Sequence, residues 1–172
     1  MSLFIVFEGG EGCGKSTQAR VLHKHVLSLS IPVVLTHEPG GTPLGEEVRR
    51  RLKRVREERI LPLGELLLFA ASRAQLVSHV IRPSLERGMV VICDRYAAST
   101  IAYQGYGRGL DLNSIQTINN IATQGLKPDL TILLDIPVHI EDQYTSNMRR
   151  LALSVSGNSD NLKLRVKSIF VE

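Results

Sequence analysis

An apolar run from Leu3 to Glu8 leads straight into Gly9-Gly10-Glu11-Gly12-Cys13-Gly14-Lys15-Ser16, and helical spacing begins at Lys15. No other feature restricts the fold as much. Glycines at these positions let the backbone turn tightly, so that its N–H groups converge on a phosphate. Lys15 brings a mobile charge to the β/γ oxygens, and Ser16 offers a hydroxyl to Mg²⁺. The helix that follows points the positive end of its dipole at the same anion. Gly9 to Ser16, with Thr17 after them, are the candidate nucleotide-phosphate cradle. The bland alternative is a glycine-rich turn with an incidental Lys-Ser.

The rest of the chain repeats the strand-then-helix order. Ala19, Leu22, Val26 and Leu29 recur at helical spacing from Lys15 to Leu29, and Pro32 to Thr36 is a short strand. Leu44 to about Arg59 and Gly64 to Arg87 read as helices, the second long and amphipathic. Met89 to Cys93 is a third strand, Gly105, Gly107 and Gly109 mark a mobile loop, Asn113 to Thr123 is helical, and Leu130 to Leu134 is a fourth strand. Such alternation predicts an α/β fold with a parallel sheet and helices on both faces. Ligands then collect at the carboxyl ends of the strands, where Gly9 to Ser16, Glu38 to Thr42 and Asp94 to Gln104 all fall. Beyond Val138, Ile140, Tyr144, Met148 and Leu151 could line a helix face. Ser154 to Asn161 is polar, and Leu162, Leu164, Val166 and Ile169 to Val171 suggest a last strand.

A length of 172 residues suits one domain, 1–172, with 138–172 divergent from the rest. No apolar run is long enough to cross a bilayer, and Leu3 to Phe7 is too brief for a signal-peptide core. The expectation is a cytoplasmic protein that does not engage membranes. Cys13 and Cys93 make no disulfide framework. Cys13 reads either as an oxidisable thiol beside the phosphate site or as a small residue that the loop tolerates. The basic run Arg49 to Arg56 is bracketed by Glu46, Glu47, Glu57 and Glu58 and has no interleaved aromatic residue. It reads as a solvated helix face with i,i+4 charge pairs rather than a nucleic-acid surface, with one arginine free for substrate work.

Asp94-Arg95 follows a buried strand, where phosphate-transfer folds hold Mg²⁺ or its waters. Arg95 could grip a phosphate bidentately. The pair could equally be structural and cap the next helix. Phe69 and Arg73, at i and i+4, share a helix face and could stack a planar base and bond its edge. The plainer reading is a core phenylalanine with a surface arginine. Ser99, Thr100, Tyr103 and Gln104 could line a base pocket or only begin a helix.

Taken together, Phe7 to Gln18, Glu38-Pro39-Gly40-Gly41-Thr42, Leu68 to Gln75, Asp94-Arg95-Tyr96, Ser99 and Ala102-Tyr103-Gln104-Gly105 closely resemble bacterial thymidylate kinase, in order, over about residues 3 to 137. The resemblance implies a P-loop NTPase fold of the nucleoside monophosphate kinase type. It also implies transfer of the γ-phosphate of ATP to dTMP with Mg²⁺, and a homodimer. By that likeness Phe69 stacks on thymine, Arg73 reads its O4 edge and Ser99 or Thr100 lies near N3. Tyr103 disfavours a 2′-hydroxyl and Gln104 completes the pocket. Arg49 and Arg95 hold the dTMP phosphate, Glu11 organises the acceptor end, and Lys15 tracks the moving phosphoryl group. Ser16 and, through water, Asp94 serve Mg²⁺.

The chain departs from the family pattern in three places. His37 replaces a common arginine, and Ser72 replaces a usual aspartate. The glycine loop has Gly12-Cys13 and no arginine, which implies arginines in a lid after the fourth strand. No lid motif follows Pro137, Arg149-Arg150 is the only paired basic candidate, and the chain ends earlier than the resemblance implies. An arginine on the transition-state phosphates is worth about 10³ to 10⁵ in rate, so weak catalysis is expected. The rival readings are a silent nucleotide-binding remnant and a kinase for another nucleoside monophosphate.

Overall fold

The computed structural model describes residues 2–54, 60–135 and the strand backbone of 166–171. Strands β1 (Leu3–Gly9), β2 (Val33–His37), β3 (Val90–Asp94) and β4 (Leu130–Leu134) are parallel, and β5 (Val166–Val171) pairs antiparallel with β4. Their spatial order is β2-β3-β1-β4-β5. The four expected strands form within a residue or two of their predicted ends. The last strand forms too, as an antiparallel edge on the otherwise parallel sheet. The expected helix over 140–151, the loop over 154–161, Arg149, Arg150 and the far end of the helix toward Arg59 lie outside the described residues.

Alternation along the central strands divides the core in two. Phe4 and Val6 of β1, with Val91 and Cys93 of β3, pack against Leu76, Val77, Ile81 and Tyr96. Ile5, Phe7, Val90 and Ile92 point the other way, toward Ala19, Leu22 and Val26 of α1 (Lys15–Ser28). Both faces are apolar because both are covered, the condition a parallel sheet requires. Phe4 and Tyr96 meet edge to face at 5.1 Å between centroids, a favoured aromatic geometry.

Local chemistry sets the helix ends. Thr42 accepts from the Gly45 N–H and Pro43 takes the first turn of α2 (Pro43–Lys53), where its missing N–H costs nothing. Asp111 caps α6 (Leu112–Thr123) by accepting from the Ser114 N–H, and Gln124 and Gly125 end it with positive φ. The long helix predicted from Gly64 is continuous but not uniform. It runs as α3 (Pro62–Leu76), a π-helical turn (Val77–Ile81) and α4 (Arg82–Glu86). Pro83 accounts for the change, because it lacks an N–H and its ring crowds the carbonyl four residues back; a widened turn just before it relieves both.

The glycine-marked loop is corrected as well. After the short α5 (Ala97–Thr100), Ile101–Gly107 is itself a π-helical turn. Gly105 is buried, and a Cβ there would lie 2.6 Å from Leu112 Cδ2, so this glycine serves close packing. The basic stretch pairs as Arg50 with Glu47 at i,i+3, while Glu46 turns to His37 at 2.9 Å.

Candidate active site

Strand β1 ends at Gly9, where φ is 140° and a Cβ would stand 2.3 Å from the Leu134 carbonyl oxygen. Only glycine permits that approach of the loop to β4. Gly12 and Gly14 also have positive φ, and Gly14 caps α1 in the left-handed region. Cys13 is buried within the core beneath α1, so its thiol is a packing group and the oxidisable reading fails. Lys15 is buried too. Its ammonium donates to the Gly10 carbonyl and, at 3.4 Å, to Cys13 Sγ.

Asp94 shares the sheet face of Val90 and Ile92, which brings it to the first turn of α1. There its Oδ2 accepts from the Ser16 hydroxyl. Asp94 Oδ1 is buried without a partner. One carboxylate with an unused oxygen beside a hydroxyl fits Mg²⁺, which takes few protein ligands and keeps waters and phosphate oxygens. Among the described residues no three His, Cys, Asp or Glu side chains converge to hold a metal by themselves.

Arg95 is one of three described non-glycine residues with positive φ, at 75°. Its N–H donates to the Phe7 carbonyl at 2.9 Å, extending the β1–β3 ladder by one bond, and the chain turns at its positive φ. The guanidinium then lies across the end of β1, donating at 3.1 Å to the Gly9 carbonyl and at 3.1 Å to Ser99 Oγ. It also stands 5.3 Å from the Tyr103 ring centroid, within cation–π range. Asp94 and Arg95 thus serve different partners and are not a helix cap. Glu8 receives the same turn from behind, accepting from the Tyr96 and Ser99 N–H groups and the Ser99 hydroxyl. Burial pushes its carboxyl above the ordinary value, with those bonds and Arg95 acting against it.

Arg73 is 1% exposed, which overturns the surface-arginine reading. It donates to Glu38 Oε2 at 2.7 Å, Asn119 Oδ1 at 2.6 Å and Thr100 Oγ1 at 2.8 Å, and lies 5.7 Å from the Tyr96 ring. Glu38 Oε1 is buried without a partner, and burial raises this carboxyl despite the adjacent guanidinium. Arg49 donates at 2.8 Å to the Pro39 carbonyl, across a cis Glu38–Pro39 bond.

These groups share one cleft of about 920 Å³ at the carboxyl ends of β1, β2 and β3. Its wall includes Glu11, Gly12, Lys15, Ser16 and Asp94 from the glycine-loop side, and Arg49, Phe69, Arg73, Arg95, Ser99, Thr100, Tyr103 and Gln104. Gly9, Gly10, Cys13, Gly14 and Thr17 are not in its wall. The residue-by-residue reading placed Glu38 in a cluster at the strand ends without its ion pair to Arg73, and it missed Glu8, Asn119 and the Glu65–Arg108 ion pair, in which Arg108 Nε lies 3.0 Å from the carboxylate. A charge inside the apolar run Leu3 to Gly9 was the available signal for Glu8. Nothing local marks Asn119.

The thymidylate kinase family model matches residues 7–158. A thymidylate kinase of Dehalococcoides mccartyi is 59% identical over 136 residues, covering 79% of this chain and 65% of the relative. One from a Roseiflexus species is 56% identical, with 60% of the relative covered. The chain therefore spans less than two thirds of the length of these curated relatives. The crystal structure of thymidylate kinase from Ehrlichia chaffeensis superposes with a TM-score of 0.74 at 38% identity, covering 88% of this chain and 89% of that one. With the family model matching residues 7–158 and the shared P-loop architecture, the chain belongs to the thymidylate kinase family.

Proposed function

We propose that this chain transfers the γ-phosphate of ATP to dTMP. The carrying observation is the shared cleft, in which the phosphate cradle of Lys15 and Ser16 opens onto a wall with a half-buried ring, Phe69, and two arginines, Arg73 and Arg95. A phosphate acceptor is already anionic near neutral pH, so the reaction needs no strong base. It needs alignment and positive charge around the equatorial oxygens. Lys15 follows the transferred group, while Arg95 and Arg49 hold the dTMP phosphate and Glu11 orders the acceptor end. Phe69 stacks on thymine. Arg73 faces the base with its guanidinium braced by Glu38, and Thr100 and Gln104 flank it. Ser99 is bonded to Arg95, which favours Thr100 as the hydroxyl beside the base. Tyr103 closes against the sugar. Ser16 and Asp94 would hold Mg²⁺, which would supply positive charge to the phosphates.

ADP release measured with ATP, Mg²⁺ and dTMP tests the proposal. ADP formation that depends on dTMP, and that prefers dTMP to dUMP, CMP and AMP, is the expected result. ADP release indifferent to the acceptor would overturn it. Leu61, Leu63 and Leu67 stand exposed around the start of α3 and suit contact with a second copy; sedimentation at dimer mass tests that homodimer.

A further inference from the structure

Glu8 carries a charge in the central run of β1, yet it is 5% exposed and is not part of the cleft wall. It shares the sheet face of Phe4 and Val6, which turns it toward the segment following β3. Its Oε1 accepts from the Tyr96 N–H at 2.9 Å and the Ser99 N–H at 3.3 Å, and its Oε2 takes the Ser99 hydroxyl at 2.6 Å. Ser99 Oγ in turn accepts from Arg95 Nη1 at 3.1 Å. The donors run one way, from Arg95 to Ser99 to Glu8. A hydroxyl has a single proton, and giving it to a carboxylate leaves its lone pairs for the guanidinium. Arg95 also sits at a φ of 75°, a conformation that persists in a non-glycine residue only when its surroundings hold it.

We infer that Glu8 is a positioning residue, which aims Arg95 at the acceptor phosphate through Ser99. The inference rests on the dTMP kinase reading and adds a residue to it. Glu8→Gln is the direct test. A glutamine can still accept from the two backbone amides, but its Nε2 would donate to Ser99 Oγ. The serine oxygen would then accept from both the amide and the guanidinium, while its own proton loses the carboxylate that polarised it, so its hold on Arg95 weakens.

Calorimetric titration with dTMP and with thymidine separates aiming from mere support. In Glu8→Gln, dTMP affinity is expected to fall about 10- to 100-fold, the usual worth of a charge-assisted hydrogen bond, while thymidine affinity holds within about twofold. The KM for dTMP rises and that for ATP does not. Ser99→Ala cuts the same relay with Glu8 in place, so it reads the effect even if the Glu8 variant fails to fold. It is expected to show a phosphate-selective loss of about tenfold. Equal losses for dTMP and thymidine, or no loss for dTMP, overturn the inference. A wild-type chain that binds neither compound overturns the functional reading first, and the inference with it.

Discussion

The two parts of the cleft are built in opposite ways. The proposed phosphate cradle is one uninterrupted stretch, Gly9 to Ser16, held by glycine geometry and by Lys15 bonding back to its own loop. The proposed acceptor wall and the groups behind it come from five places: Glu8 on β1, Glu38 after β2, Arg73 on α3, Arg95 and Thr100 after β3, and Asn119 on α6. A contiguous loop stores its information in backbone conformation. A dispersed wall stores it in side-chain pairs, most of them buried and over long sequence separations, and each needing a partner. The cradle should therefore lose chemistry when damaged, and the wall should lose folding.

Arg73→Ala puts the greatest strain on that distinction. Removing one member of a buried pair leaves Glu38 uncompensated and should destabilise by about 3 to 5 kcal/mol in a denaturant melt. A loss below about 1 kcal/mol would mean that the wall is not a cooperative network. Lys15→Ala is the counterpart in the cradle. Turnover should fall by about 10² to 10³, as when a transition-state donor is removed elsewhere. Stability should change by only about 1 kcal/mol, since the lysine bonds only its own loop. A large drop in melting temperature would make the cradle as structural as the wall.

A glycine pair refines the cradle side. Gly9→Ala should cost about 1 to 3 kcal/mol, because its Cβ would collide with the Leu134 carbonyl oxygen at 2.3 Å. Gly14→Ala meets nothing within 4 Å and bears only the strain of its φ of 91°, so its melt should shift less. Equal shifts would show that φ alone governs the loop.

The smallest effect concerns protons. Burial raises Glu8 and Glu38 above the ordinary value of 4.5, so their contribution weakens as pH rises through the raised folded values. Asp111, remote from the cleft wall, has the opposite sign. Bonds from the Ser114 N–H and hydroxyl hold it below its ordinary value of 3.8, so its stabilisation is full above that value and lost as pH falls through the depressed one. Asp111→Asn keeps a capping oxygen and should flatten the acid side of the stability profile without altering dTMP binding. A change in dTMP affinity would tie the cap to the cleft after all.

The difference in construction explains what could be read in advance. The four parallel strands and the glycine loop were visible because short continuous apolar runs and glycine spacing are local properties. The Ile101–Gly107 π-turn was not, since Gly105 there answers to Leu112 and not to its neighbours in sequence. Arg73 was legible as a helix-face residue, but its burial depends on Glu38, 35 positions away, and Asn119, 46 away.

Residue order alone thus settled the strand–loop–helix start and the α/β class, and it singled out Lys15 and Ser16 as the candidate phosphate-site groups, because adjacent residues determine backbone turns. Tertiary structure decided which face each acceptor-wall charge takes and which partner neutralises it. It put Glu8 beneath Arg95 and Glu38 against Arg73. Such pairings come from strand order and register, and a buried charge is tolerable only where the fold brings it a partner.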